Sequence, residues 1–373
     1  MGGDSSDLII FFIVVGLRFI VPLFIPRFPL PAILLALVID AADQTIFQQF
    51  TNLNLDGYQN YDKALDIFYL TVAFLAVYRN WTNSTAILVA RFLWYYRLIG
   101  VWLFEVTQER WLLLVFPNTF EYFFIAYELV RTKWDPRRLT RKVVYGLAAF
   151  IWIFIKLPQE WWIHIAQLDF TDFMKEDVFG TTPTTSWGDA ITNRPLVSIA
   201  LLAAIVGLIA LAVWAVRRAP TPDWPFRVDV DKPIPATSTA LPQQPVTMWP
   251  PFWEKVLLVG LIGAIFVSAL NVETTAVRIV GATLLLVVVN AAISEALAKR
   301  GFEWSSIGLQ FVVILVVNTA LLSLYASLLG NDLNRALTIV FGLVMTVVIV
   351  LYDRFRADYL SRTATDSATT AVS

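Results

Sequence analysis

Long apolar runs with the charges confined to the gaps between them constrain this chain most, as in "PLVSIALLAAIVGLIALAVWAV" at 195–216 and "LTIVFGLVMTVVIVLY" at 337–352. A hydrocarbon layer about 30 Å thick takes about 20 mostly apolar residues to cross as a helix. Backbone polar groups inside it must be satisfied within the segment, which leaves helices as the solution for runs of this length. Composition agrees: 58% of the 373 residues are hydrophobic and 15% are charged, where a soluble domain carries about a quarter charged. The sequence predicts an all-α integral membrane protein, a polytopic helical bundle of about eleven transmembrane helices. The spans fall at 8–25, 28–48, 64–79, 84–104, 111–130, 142–158, 195–216, 252–270, 275–297, 306–329 and 334–352.

Basic residues mark cytoplasmic loops. "RTKWDPRRLTRK" at 131–142 carries six basic residues and one acid, so it belongs inside. The loop 159–194 holds Glu160, Asp169, Asp172, Glu176, Asp177 and Asp189 against Lys175 and Arg194, so it belongs outside. Extending the alternation puts Arg27, Arg79, Arg217, Arg218, Lys299, Arg300 and "DRFRADYLSR" inside. The N-terminus then lies outside and the C-terminus in the cytoplasm, and the expected location is the plasma (cytoplasmic) membrane. "MGGDSSD" is acidic and lacks the positive start of a signal peptide, so 8–25 reads as a retained first helix. The same stretch fits the loose myristoylation pattern, but at an end placed outside. The sequons at Asn80 and Asn83 land on the cytoplasmic side and are expected to be unmodified.

The chain divides into an aromatic-rich six-helix unit with embedded charges (1–158), an extracytoplasmic loop with an interfacial helix (159–194), a seventh span (195–216), a Pro-rich cytoplasmic linker (217–251), a four-helix unit (252–352) and a cytoplasmic, partly disordered tail (353–373). In the second half Gly260 and Gly263 allow close helix approach. The repeated V-V-N-x-A of 288–292 and 316–320 sets Asn290 and Asn318 to hydrogen-bond between antiparallel neighbours.

Ionisable groups inside a span are costly and normally face the bundle interior. In "LVIDAADQTIFQQF" (37–50), Asp40, Asp43, Gln44 and Gln48 share one helical face. Counting 1.5 Å per residue from the cytoplasmic ends of their spans sets Asp40 level with Arg97, about 20 Å deep. Asp40, Asp43, Arg97, Arg18 and Glu121 are expected to form a buried charge cluster, either a structural ion-pair network or a site open to water. "NLNLDGYQNYDK" (52–63) resembles the first half of a calcium loop, with Asn52, Asn54, Asp56 and the nearby Asp62 as oxygen donors. Lys63 stands where the bidentate Glu is required, so the stretch reads as a turn and any calcium site as weak. In 158–180, His164 joins Gln167, Thr171 and Lys175 on a solvated polar stripe.

The absence of cysteine and the single histidine exclude disulfides, iron–sulfur ligation, thiol catalysis and histidine-pair sites. No P-loop, G-x-G-x-x-G or H-E-x-x-H occurs, so no cofactor is expected. No basic face accumulates for nucleic acid. The expected partners are membrane lipids, with a small anion or a lipid headgroup as ligand. Three functions fit. A transporter, channel or lipid-translocating protein would use the charge cluster for an anionic or proton-coupled substrate. An enzyme acting on a lipid-linked or headgroup substrate at the outer leaflet would use Asp43 with Asp56, Asp62, Glu105 or Glu109. A non-catalytic scaffold would hold every charge paired in a dry interior. The transport reading ranks first.

Overall fold

A computed structural model describes residues 5–51, 58–168, 170–182, 184–230, 251–269, 276–299, 307–328 and 335–372. Every regular element among them is helical. The first six helices are α1 (Ser5–Ile20), α2 (Pro29–Phe50), α3 (Tyr58–Asn80), α4 (Ser84–Thr107), α5 (Trp111–Val115) and α6 (Thr119–Arg131). Next, α7 (Arg141–Phe150) runs through a π-helical turn (Ile151–Lys156) into α8 (Leu157–Glu160) and a second π turn (Trp161–Ile165). Short α9 (Phe170–Phe173) and α10 (Trp187–Asn193) lead to α11 (Pro195–Arg218). The second half comprises α12 (Pro251–Ala269), α13 (Ala276–Lys299), α14 (Ile307–Leu328) and α15 (Arg335–Val372).

Seven helical stretches are long and apolar enough to cross a membrane, and α10 with α11, bent by 100°, makes an eighth if the pair is one span. That measure does not reach the expected eleven, for identifiable reasons. α13 and α14 are apolar only over the shorter stretches Val277–Ile293 and Gly308–Leu324. α3 carries Asp62, Lys63, Asp66 and Arg79, which lower its hydropathy although it is the most buried helix. From Ala64 to Tyr78 nearly every side chain is inside, because α3 packs against α1, α2, α4, α12 and α15. The acids at its start turn toward Arg18 of α1, the interior direction that ionisable groups in a span normally take.

One hydrophobic core joins the two halves: Phe74, Trp94 and Phe120 share it with Leu258, Phe266 and Val348. Phe74 stacks on Trp94 at 5.8 Å between ring centroids, and Trp81 on Tyr127 at 3.7 Å. α15 continues well past the apolar stretch at which its span was expected to stop. Phe355, Arg356 and Tyr359 are buried, and Arg362 donates to the Tyr78 carbonyl.

The basic loops meet at one end of the bundle. Arg79 and Asn80 donate to the Pro26 carbonyl. Asn83 caps α4 by accepting from Ala86 N at 3.0 Å and donates to the carbonyls of Pro136 and Leu139. Both sequon asparagines are buried and bonded in this way. Residues 219–230, the described start of the Pro-rich linker, lie across the 131–138 loop. Arg227 N donates to Thr132 O, Trp224 Nε1 to Arg131 O, and Arg138 pairs with Asp223 at 2.7 Å.

Candidate functional site

Three helices bring five charges to one point. Arg18 lies in the last turn of α1, Asp40 and Asp43 are three residues apart on α2, and Asp62 and Asp66 four apart on α3. Spacings of three and four put each aspartate pair on a single helical face. The Arg18 guanidinium donates to all four: Nη2 to Asp40 and, at 2.8 Å, to Asp66, and Nη1 to Asp43 and, at 2.5 Å, to Asp62. Arg presents five donors in a flat fork, which Lys could not match. The Arg18 and Asp43 side chains are each 3% exposed, while Asp40, Asp62 and Asp66 are 27%, 34% and 37% exposed. The site therefore has a dry floor and an open acidic rim. Asp40, Asp62 and Asp66 offer carboxylate oxygens within 4.8 Å of one another, an all-oxygen set of the kind hard cations take.

The partner of Asp40 is thus Arg18 and not Arg97. Equal depth does not imply adjacency: α2 packs on α1, α3 and α6 and, among the described residues, has no substantial contact with α4. Arg97 instead donates at 3.0 Å to the Phe116 carbonyl.

That carbonyl belongs to a break inside the fifth expected span. Pro117 has no N–H to continue α5, so the helix stops at Val115 and restarts as α6 at Thr119. α4 covers the freed carbonyls, Tyr96 Oη donating to Val115 O and Arg97 to Phe116 O, as irregular backbone at membrane depth requires. Past the break, Glu121 accepts from Tyr69 Oη at 2.5 Å and from Asn118 Nδ2 at 2.8 Å. Asn118 N donates to Glu160 Oε1 at 3.1 Å. Glu160 also pairs with Lys156 and with His164 Nε2, each at 3.1 Å. Glu121 lies within electrostatic reach of Lys156, Asp40 and Arg97, so this second group adjoins the first. Arg97 Nε, Asn118 Oδ1 and Thr119 Oγ1 are buried at the break with no hydrogen-bond partner among the described residues.

Of the expected cluster, then, Arg18, Asp40 and Asp43 are in direct contact, and Glu121 and Arg97 stand one layer away at the helix break. Gln44 is on α2, with its side chain outside the described residues. Asn52, Asn54 and Asp56 of the calcium-loop reading also lie outside them. Glu105, proposed for an outer-leaflet cleft, pairs with Lys63 at 3.4 Å. His164, expected on a solvated stripe, is the outer end of the Lys156–Glu160–His164 series and only 22% exposed. The four-residue spacing of that series was a usable signal, as was Asp66 four residues after Asp62. Asn118 and Tyr69 carried none, because their roles come from a helix break and a cross-helix contact.

Against known proteins the chain stands apart: no family model, no curated protein and no solved structure matches it.

Proposed function

We propose that this chain is a proton-coupled membrane transporter whose coupling site is Arg18 with Asp40, Asp43, Asp62 and Asp66. The observation that carries the reading is one guanidinium bonded to four carboxylates. Four carboxylates on one guanidinium leave an excess of negative charge, which suits uptake of protons or a cation. The acid excess counts against an anionic substrate at this point. Exposure of Asp40, Asp62 and Asp66 by about a third each argues against a dry structural network. The break at Pro117 supports transport further, since discontinuous helices commonly build substrate sites near the membrane midplane. The orphaned polar atoms of Arg97, Asn118 and Thr119 give a substrate or water something to bind there.

The convergence of Asp40, Asp62 and Asp66 favours one second reading, a divalent cation in place of the protons. Dicyclohexylcarbodiimide modifies protonated carboxyls in apolar surroundings and separates the two. Peptide mapping of treated membranes is expected to find the adduct on one of the four aspartates, rising as the pH is lowered. Protection by Mn2+ or Ca2+ at constant pH would favour the cation. In proteoliposomes with an imposed potential, Asp40→Asn and Asp66→Asn should abolish proton uptake, while Asp189→Asn on the outer loop keeps it. An unlabelled aspartate quartet at every pH, or full uptake by a folded Asp40→Asn protein, would overturn the reading.

A further inference from the structure

At the basic end of the bundle the connecting segments are hydrogen-bonded into a closed ring. The α1–α2 turn is held to the α3–α4 link, because Arg79 and Asn80 both donate to Pro26 O. That link is held in turn to α6 and the loop after it. Asn83 Nδ2 donates to Pro136 O at 2.9 Å and to Leu139 O at 3.0 Å, and Trp81 Nε1 to Glu128 Oε1 at 2.7 Å. The last side of the ring is the strap 219–230, which follows α11. It meets the α6–α7 loop through Asp223 N to Lys133 O and Arg227 N to Thr132 O, each at 2.9 Å. It reaches the α1–α2 turn through Val230 N to Arg27 O at 3.2 Å.

The sides of this ring are not equal. Asn80, Trp81, Asn83 and Glu128 are buried within the packed bundle. The strap is seated by Trp224, buried with its Nε1 donating to Arg131 O at 3.1 Å. Beside it, Asp223 pairs with the exposed Arg138 at 2.7 Å and accepts from Asp135 N at 2.8 Å. Pro220, Thr221, Pro222, Pro225 and Phe226 are exposed. The prolines keep the strap out of helix and sheet, so it can lift away without unfolding a regular element. Upstream, α11 packs substantially only on α10 among the described residues, and its large side chains from Leu196 to Trp214 are exposed. Strap and α11 can therefore move together without disturbing the core.

The ring ties together the basic-side ends of α1, α2, α3, α4 and α6, the helices that carry Arg18, the four aspartates, Arg97 and Glu121. We propose that the strap 219–230 is a gate at this end: seated, as here, it closes the ring, and lifted at Trp224 it opens the bundle to water. The inference rests on the transport reading, since a gate needs a pathway behind it. A permanent brace would gain from burial along its whole length. Attachment by a tryptophan, a surface ion pair and backbone bonds suits reversible opening, because elements that move are drawn from the less stable parts of a fold.

The full chain has no cysteine, so single cysteines at Leu75, Ala76 and Val77 can report the sealed side. All three positions are fully buried, on different sides of α3 and within about 8 Å of Asn80 along the helix. The probe is a charged methanethiosulfonate added to membranes opened on both faces. At least one of these cysteines is expected to react about tenfold faster when Trp224→Ala is added. Arg138→Gln, which loosens the strap from its exposed side, should act in the same direction and keeps the test decisive if Trp224→Ala fails to fold. In a second arm, Lys133→Cys and Arg227→Cys are bridged by a bifunctional methanethiosulfonate to pin the strap. Proton uptake in proteoliposomes should stop and return on reduction. Undiminished uptake with the strap pinned, or equal labelling rates in all the proteins, overturns the inference. A wild-type protein without uptake sinks the transport reading instead, and the labelling rates then decide by themselves whether the strap seals this end.

Discussion

Arg18 is the common partner of four aspartates on two other helices, and its removal would leave them mutually repelling inside the bundle. Breaking a buried pair costs about 3–5 kcal/mol, so Arg18→Ala is expected to lower stability by at least that amount. A second residue fixes the helix break. A Cβ on Gly100 would lie 2.1 Å from Phe116 Cβ, a position no side chain can share. Phe116 carries the carbonyl that Arg97 holds, so Gly100→Ala must push the break away from α4. Overpacking of this kind costs about 1–3 kcal/mol. The expected outcome is a lower unfolding midpoint with impaired uptake, measured on the same proteoliposomes as Asp40→Asn. The sequence places Arg18 in a charge cluster with Asp40 and Asp43, whereas Gly100 reads there as one more small residue in an apolar run.

Among the elements, α13, α14 and α15 are tied by a polar ladder. Asn290 Nδ2 donates to Asn318 Oδ1 at 2.7 Å, Asn318 Nδ2 to Thr346 Oγ1 at 3.0 Å, and Thr346 Oγ1 to the Gly342 carbonyl. The asparagine pair was legible from the repeated V-V-N-x-A, while Thr346 was not, because threonine in an apolar helix usually bonds its own backbone. Asn318 is the middle rung, so Asn318→Leu breaks both cross-helix bonds. Interhelical hydrogen bonds in membranes average about 0.6 kcal/mol each, which predicts a loss of about 1 kcal/mol in a reversible detergent-unfolding titration. Fragility of the same order at the Pro117 break was hidden for a different reason. Proline is tolerated in transmembrane helices when neighbours satisfy the freed backbone, and those neighbours, Tyr96 and Arg97, come from another helix.

For the whole molecule, helical class and apolar character were legible because the bilayer imposes them on composition directly. The lateral arrangement was not, since depth along a helix is set by sequence while adjacency is set by packing; Asp40 beside Arg18 and not Arg97 is that difference in one residue. Arg27, Arg79, the 131–138 loop and 219–230 gather at one end of the bundle, so one labelling experiment reads the sidedness of them all. A chain without cysteine allows a clean check. A membrane-impermeant maleimide should label Thr184→Cys in intact cells and Thr221→Cys only after permeabilisation, and the reverse pattern would invert the topology. The Arg18 hub also has a mechanical consequence. Sliding α1 by one turn, about 5.4 Å, would sever its bonds to α2 and α3 together, so these three helices travel as a single piece.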